Sequence, residues 1–231
     1  MKVNVIPDIH GEVKWKKVID ESCDKIIFLG DYVDSFTVSN DQIITNLKDI
    51  ISFKKENPDK VVLLWGNHDI MYYYLQNPTF RCSGYRPEIG IDLHEIYKLN
   101  SSLFQYAYQI KDFIFTHAGI QNNWFINEFK GLLFENIADQ LNNPKNQNQF
   151  LSIHDVGFRR GGWKDAGGIV WCDKNELKKP LKNYNQIVGH TQTEQMIEFN
   201  FTSDKLNKNK KNSVYFCDCL NKLTEPLIFN I

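Results

Sequence analysis

No stretch of the 231-residue chain approaches the ~20 consecutive apolar residues that a bilayer-spanning helix needs. Its first residues, Met-Lys-Val-Asn-Val-Ile-Pro-Asp, lack the apolar core and small-residue cleavage site of a secretory leader. Net charge is almost absent: 27 basic side chains face 28 acidic ones. That argues against strong non-specific nucleic-acid binding, which depends on Lys and Arg against phosphate, though it leaves room for a local basic patch around a site. Cysteine is sparse and odd in number (Cys23, Cys82, Cys172, Cys217, Cys219), with no C-x-x-C pair. A disulfide framework is therefore not expected, and a reducing cytoplasmic compartment is. Cys217-x-Cys219 reads as alternation within an apolar strand rather than a metal site. What remains is an ordinary globular composition, 42% hydrophobic and 24% charged. It excludes disorder, collagen and coiled coil. With no repeat and no clear linker, residues 1–231 are expected to form a single domain.

Short apolar runs alternate with longer mixed segments through the first half. Residues 3–6, 25–29 and 61–65 predict strands. Between them, residues 12–23 predict a helix, and Ile43, Ile44, Leu47, Ile50 and Ile51 recur at helical spacing with Asn40 or Asp41 as N-cap. Strand, helix, strand, helix, strand is the pattern of βαβ units in a buried sheet. Residues 70–100, aromatic-rich and broken by Pro78 and Pro87, predict short helices and loops. Residues 104–110 and 112–116 predict two antiparallel strands meeting at Lys111, and 122–141 a helical stretch. A polar loop over 142–149 and a Gly-rich stretch over 157–168 follow. Strands are expected over 186–188, 196–199, 214–217 and 227–229, with a basic, Asn-rich hairpin connector over 205–212.

In open α/β sheets, functional groups gather beyond the carboxyl ends of the strands. Here those ends carry Asp8-Ile9-His10-Gly11, Gly30-Asp31-Tyr32-Val33-Asp34 and Gly66-Asn67-His68-Asp69, and later His117-Ala118-Gly119 and Gly189-His190-Thr191-Gln192. One such histidine is unremarkable. Four of the chain's six, each after an apolar run and beside Asp, Asn or Gly, point to a metal centre. Carboxylate, imidazole and amide donors suit Mn, Fe or Zn. The clusters contain no thiolate, which argues against a structural zinc site.

These blocks resemble the calcineurin-like metallophosphoesterases, whose pattern runs D-x-H, G-D-x-x-D, G-N-H-D/E, a lone H, then G-H. All five stand in order from Asp8 to His190. Phosphodiesterase-type members carry G-H-x-H, and Gln192 stands where the second His would be. Together with Thr-His-Ala-Gly and Val170-Trp171-Cys172-Asp173, this is similar to the phosphoprotein phosphatase branch. That branch includes Ser/Thr protein phosphatases and diadenosine-tetraphosphate hydrolases. It also writes G-D-x-V-D-R-G with a phosphate-clamping Arg, whereas here Ser35-Phe36 follows Asp34. Arg159 and Arg160 are the substitutes by position, with Arg81 and Arg86 weaker candidates.

The resemblance implies an α/β fold, a β-sandwich of mixed sheets flanked by helices. It also implies two divalent ions, manganese above iron or zinc. Asp8 and His10 would hold one ion, Asn67, His117 and His190 the other, and Asp31 both. Such ions, ~3.5–4 Å apart, share a hydroxide that attacks phosphorus in line. His68 would protonate the leaving group and Asp34 would orient His68. Asp69 would support a neighbouring ligand. The implied activity is a Ser/Thr protein phosphatase-like phosphomonoesterase. The alternatives are a dinucleoside-polyphosphate hydrolase, a nucleic-acid end phosphatase, and a metal-free interaction module on the same fold. Its partner would be a phosphorylated substrate: a phosphoprotein, a nucleotide or a nucleic-acid end. Tyr72, Tyr73, Tyr74, Phe80 and Tyr85 could stack on a base, although helix packing is the plainer role for them.

Overall fold

The computed structural model describes residues 1–202 and 211–231, and the chain gathers into two compact units. One comprises Met1–Gln105 and Leu220–Ile231, the other Tyr106–Cys219.

In the first unit, the predicted apolar runs become β1 (Lys2–Ile6), β2 (Lys25–Phe28) and β3 (Val61–Leu64). They lie parallel in register, Val5 opposite Ile27 and Ile27 opposite Val62. The two-residue β4 (Phe104–Gln105) extends the parallel set, and β10 (Leu227–Asn230) closes the other edge antiparallel to β1. Helix α1 (Asn40–Glu56) buries Ile43, Leu47, Ile50 and Ile51, the stripe its spacing predicts. Its N-cap is Ser39, one residue before the expected cap, because the Ser39 hydroxyl accepts the Gln42 N–H. The helix expected over 12–23 is only a 3-10 turn, Val13–Lys17. Trp15 is the buried residue of that turn, its indole N–H donating to Asn46 Oδ1 at 2.8 Å. Asp20 then ends the segment by accepting the Ser22 N–H in a local turn. Beyond β3 lie α2 (Asn67–Tyr73) and α3 (Gly90–Asn100), joined through 3-10 turns at Pro78 and Pro87.

The run over 104–110 is not one strand. Residues 104–105 pair with β3, whereas β5 (Ala107–Ile110) pairs antiparallel with β6 (Phe113–Thr116) in the second unit. The hairpin turns at Lys111 as expected, with its φ at 52°. This second sheet runs β5-β6-β7-β9-β8, with β7 (Asn185–Val188), β8 (Ile197–Thr202) and β9 (Lys211–Phe216). β6, β7 and β9 are parallel, and β8 is antiparallel to β9. The connector read over 205–212 falls, for 205–210, outside the described residues. Lys211 and Asn212 belong to β9.

The helical stretch over 122–141 is broken. It becomes one π-helical turn, Trp124–Glu128, and then α4 (Ile137–Asn142), with Lys130 at φ 59° between them. The polar loop is shorter than expected, because the Asn146 side chain accepts the Gln149 N–H and starts α5 (Gln147–Ile153). Trp124, Phe125, Phe129, Ile137, Leu141, Ile153 and Ile169 belong to one core cluster of this unit, and Ala118, Leu177, Val188 and Val214 to another. Two mixed sheets flanked by helices are thus the observed fold class. Among the described residues no disulfide joins any of the five cysteines. Among the described residues no helix is long and apolar enough to cross a membrane.

Candidate active site

Positive φ angles at non-glycine residues are uncommon and costly, and they concentrate at functional sites. Among the described residues seven occur, and four are His10 (46°), Asp31 (51°), Asp34 (63°) and His190 (64°). Each follows a strand, so the left-handed turn re-aims the side chain just after the ladder ends.

In the first unit these turns gather Asp8, His10 and Asp31. Each offers one ligand atom, and the three atoms lie within 4.8 Å of one another. Asp8 and Asp31 are 4% and 2% exposed. His10 Nδ1 faces the carbonyl oxygens of Asp34 (2.9 Å) and Val33 (3.2 Å), so it carries the ring proton and donates it to them. Its other ring nitrogen, Nε2, lies 3.8 Å from Asp31 Oδ2. Two buried carboxylates beside an imidazole nitrogen repel one another unless a cation stands among them. The donor set therefore fits a divalent ion.

The loops after β2 and β3 press together around Asp31. Gly30 has φ +107°, and a Cβ on Gly66 would lie 2.1 Å from Asp31 Oδ1. Only glycine fits at 66. Asp69, fully buried, ties the two loops together: Oδ2 accepts the N–H of Asp31 (2.8 Å) and Gly66 (2.9 Å), and Oδ1 accepts the Tyr32 N–H (2.9 Å) and the Tyr97 hydroxyl (2.6 Å). Burial, with the Asp31 charge added, pushes its carboxyl up to about 7 against those donors.

Asp31 Oδ1 accepts the His68 N–H at 3.0 Å, and Asp34 Oδ2 lies 2.9 Å from His68 Nδ1. Burial pulls the His68 imidazole down. The Asp31 charge and the Asp34 hydrogen bond outweigh it and hold the ring well above its usual value. Burial raises the Asp34 carboxyl, opposed by its bonds to His68 and Tyr72. Asn67, also buried, opens α2 beside them, with its Nδ2 3.7 Å from Cys82 Sγ. Within the aromatic cluster the rings contact one another: Tyr72 stacks on Tyr85, Tyr73 meets Tyr74, and Tyr74 meets Phe80. The guanidinium of Arg81 sits over the Tyr85 ring, and that of Arg86 donates to Asn40 Oδ1 and the Ser35 carbonyl.

The second unit brings His117 and His190 together, Nε2 to Nδ1 at 3.1 Å. His117 is fully buried and follows β6, its carbonyl accepting the Gly189 N–H. The two arginines separate. Arg160 joins the turn at His190: Nε lies 3.0 Å from Asp173 Oδ2 and Nη2 donates to Thr191 Oγ1 at 2.9 Å. Arg159 is exposed and lines a cavity of about 380 Å³ with Phe158, Lys178 and Lys179. No motif in the sequence specifies the left-handed backbone at His10, Asp31, Asp34 and His190. The glycines beside three of them were the available signal.

The sequence profile of the calcineurin-like phosphoesterase family matches residues 1–194, and the chain belongs to that family. It is accordingly a metal-dependent hydrolase of phosphoric esters. A point mutant of a cold-active protein tyrosine phosphatase has a similar fold (TM-score 0.56, 16% identity), over 98% of this chain and 74% of that one. A protein serine/threonine phosphatase from Saccharomyces cerevisiae is similar at TM-score 0.50 and 14% identity, over 94% of this chain and 66% of that one. At these identities the likeness is one of fold. No curated protein matches the chain in sequence.

Proposed function

We propose that the chain is a phosphomonoesterase of the Ser/Thr protein phosphatase kind, with His68 as the acid that protonates an alkoxide leaving group. The observation that carries this reading is the hold on His68. Its Nδ1 rests on Asp34 and its backbone N–H on Asp31 Oδ1, the same carboxylate that faces His10. With Nδ1 engaged, Nε2 carries the proton that can be given away. Asp34 orients the ring and stabilises its charged form. Asp8, His10 and Asp31 hold one of two divalent ions. In the second unit His117 and His190 supply imidazoles for the other, and in the first unit Asn67, at the start of α2, offers a further amide oxygen. The thiolate-free donor set favours manganese, with iron or zinc as the alternatives. When bound, such ions activate water and neutralise charge on the phosphoryl oxygens. Arg160, fastened beside His190, clamps the substrate phosphate, for which a guanidinium is suited. Five cysteines without a disulfide among them fit a cytoplasmic setting.

The test is a substrate panel on manganese-loaded protein: phosphoserine, phosphothreonine and phosphotyrosine peptides, diadenosine tetraphosphate, and oligonucleotides phosphorylated at either end. The phosphoserine and phosphothreonine peptides should give the highest kcat/KM. Preference for the dinucleotide or an oligonucleotide end would overturn the substrate class. His68→Asn should cut turnover of a phosphoserine peptide by ~10²–10⁴-fold. The loss on p-nitrophenyl phosphate, whose leaving group departs as the anion, should be clearly smaller, with metal content unchanged. Equal losses on both esters would remove the acid role.

A further inference from the structure

We infer that Tyr72 is a positioning residue for hydrolysis, holding Asp34 so that one carboxylate oxygen stays on His68. This rests on the reading of His68 as the acid. Tyr72 is fully buried on α2, and its hydroxyl lies 2.5 Å from Asp34 Oδ1, while Oδ2 serves His68. The direction of the proton follows from a third group: the Arg86 backbone N–H donates to the phenol oxygen at 2.9 Å. That oxygen is accepting from one side, so its own hydrogen points to Asp34. Asp34 Oδ1 is occupied, and the carboxylate cannot rotate away from His68 without leaving a buried hydroxyl unpaired.

The donor to the phenol is itself anchored. The Arg86 guanidinium bonds Asn40 Oδ1 at 2.6 Å and also the Ser35 carbonyl, next to Asp34. Tyr85 stacks on the Tyr72 ring at 5.5 Å, and His94 Nδ1 meets the Tyr72 carbonyl at 2.9 Å. A tyrosine that merely filled space here would need no polar partner, and phenylalanine would serve without burying a hydroxyl. The hydroxyl is instead engaged on both sides, in a chain running Arg86 N–H, Tyr72 O–H, Asp34, His68. Asp34 also sits in left-handed backbone, and the Tyr72 contact holds its side chain from 38 residues away.

The test is a double-mutant cycle on the metal-loaded full chain. Tyr72→Phe should lower kcat on a phosphoserine peptide by ~10-fold, the scale of one charge-assisted hydrogen bond. KM and metal content should stay at wild type, and the loss on p-nitrophenyl phosphate should be smaller. In the His68→Asn background the same change should be silent, because Tyr72 acts through His68. A loss that is equal on both esters, or that persists in that background, would overturn the positioning role. If instead His68→Asn alone hits both esters equally, the acid reading fails, whatever Tyr72→Phe does. Should Tyr72→Phe fail to fold, 3,5-difluorotyrosine at position 72 keeps the volume and the bond while changing the donor. It should alter kcat on the peptide and not on p-nitrophenyl phosphate. No change on either would equally overturn the proposal.

Discussion

Asp69 and Asp31 are joined through the backbone: Asp69 Oδ2 accepts the Asp31 N–H at 2.8 Å, and its Oδ1 accepts the N–H of the next residue, Tyr32, at 2.9 Å. One buried carboxylate on α2 thus fixes the strained turn after β2 that aims the Asp31 side chain.

Asp69→Asn is the direct test of that tie. The amide turns an NH2 toward groups that are all donors, so at least one buried N–H loses its acceptor. Stability should fall by about 2–4 kcal/mol, read from denaturant unfolding. Bound metal should fall as well, because the Asp31 turn relaxes. A variant as stable as wild type would show that the two loops hold without the carboxylate.

Asp31→Asn should lose most bound metal and nearly all activity. The amide brings no negative charge to face His10 and Asp8, and it offers one oxygen instead of two. Metal analysis after dialysis, alongside turnover, checks this. Full occupancy with wild-type turnover would remove Asp31 from the ligand set.

The separation of the two arginines predicts unequal behaviour. Arg160→Ala should raise KM and weaken inhibition by inorganic phosphate while leaving metal content alone. Arg159→Ala should change little, since its side chain is exposed on a different cavity. Phosphate inhibition constants for both variants decide between them. Unchanged affinity in Arg160→Ala and in the double variant would place the clamp elsewhere.

His154 predicts a pH effect on folding. Burial lowers its imidazole from 6.5 to about 3, with the Tyr106 hydroxyl 3.1 Å from Nε2. A folded-state value below the unfolded one means the unfolded chain binds the proton first. The contribution is therefore complete above pH 6.5 and is lost as pH falls toward 3. The steepest loss is about 1.4 kcal/mol per pH unit. His154→Gln cannot take up the proton, so its stability should decline less between pH 6.5 and 4.5 in denaturant unfolding. Parallel profiles for variant and wild type would assign the acid sensitivity to other groups.

Much of this protein was determined by the sequence alone, where the determinants are local. Alternation of apolar runs with a helical stripe placed β1, α1, β2 and β3. The polar residues just past each strand marked the ligand candidates, because a strand end followed by glycine is a property of neighbouring residues. Tertiary structure decided what depends on distant partners. Residues 104–110 carry one continuous strand-like run, yet Phe104 pairs with Leu63 and Ala107 with Thr116, and no local signal divides them. The expected helix over 12–23 had mixed apolar positions but no continuous face, so Trp15 packed on α1 through Asn46 instead. At the site, the motif spacing named Asp34 and His68, but it could not show that Tyr72 and the Arg86 backbone complete their chain. Nor could it show that Arg160, rather than Arg159, reaches the His190 turn. Those contacts join residues 14 to 38 positions apart. Their cause is the burial of polar groups that must find partners wherever the folded chain places them.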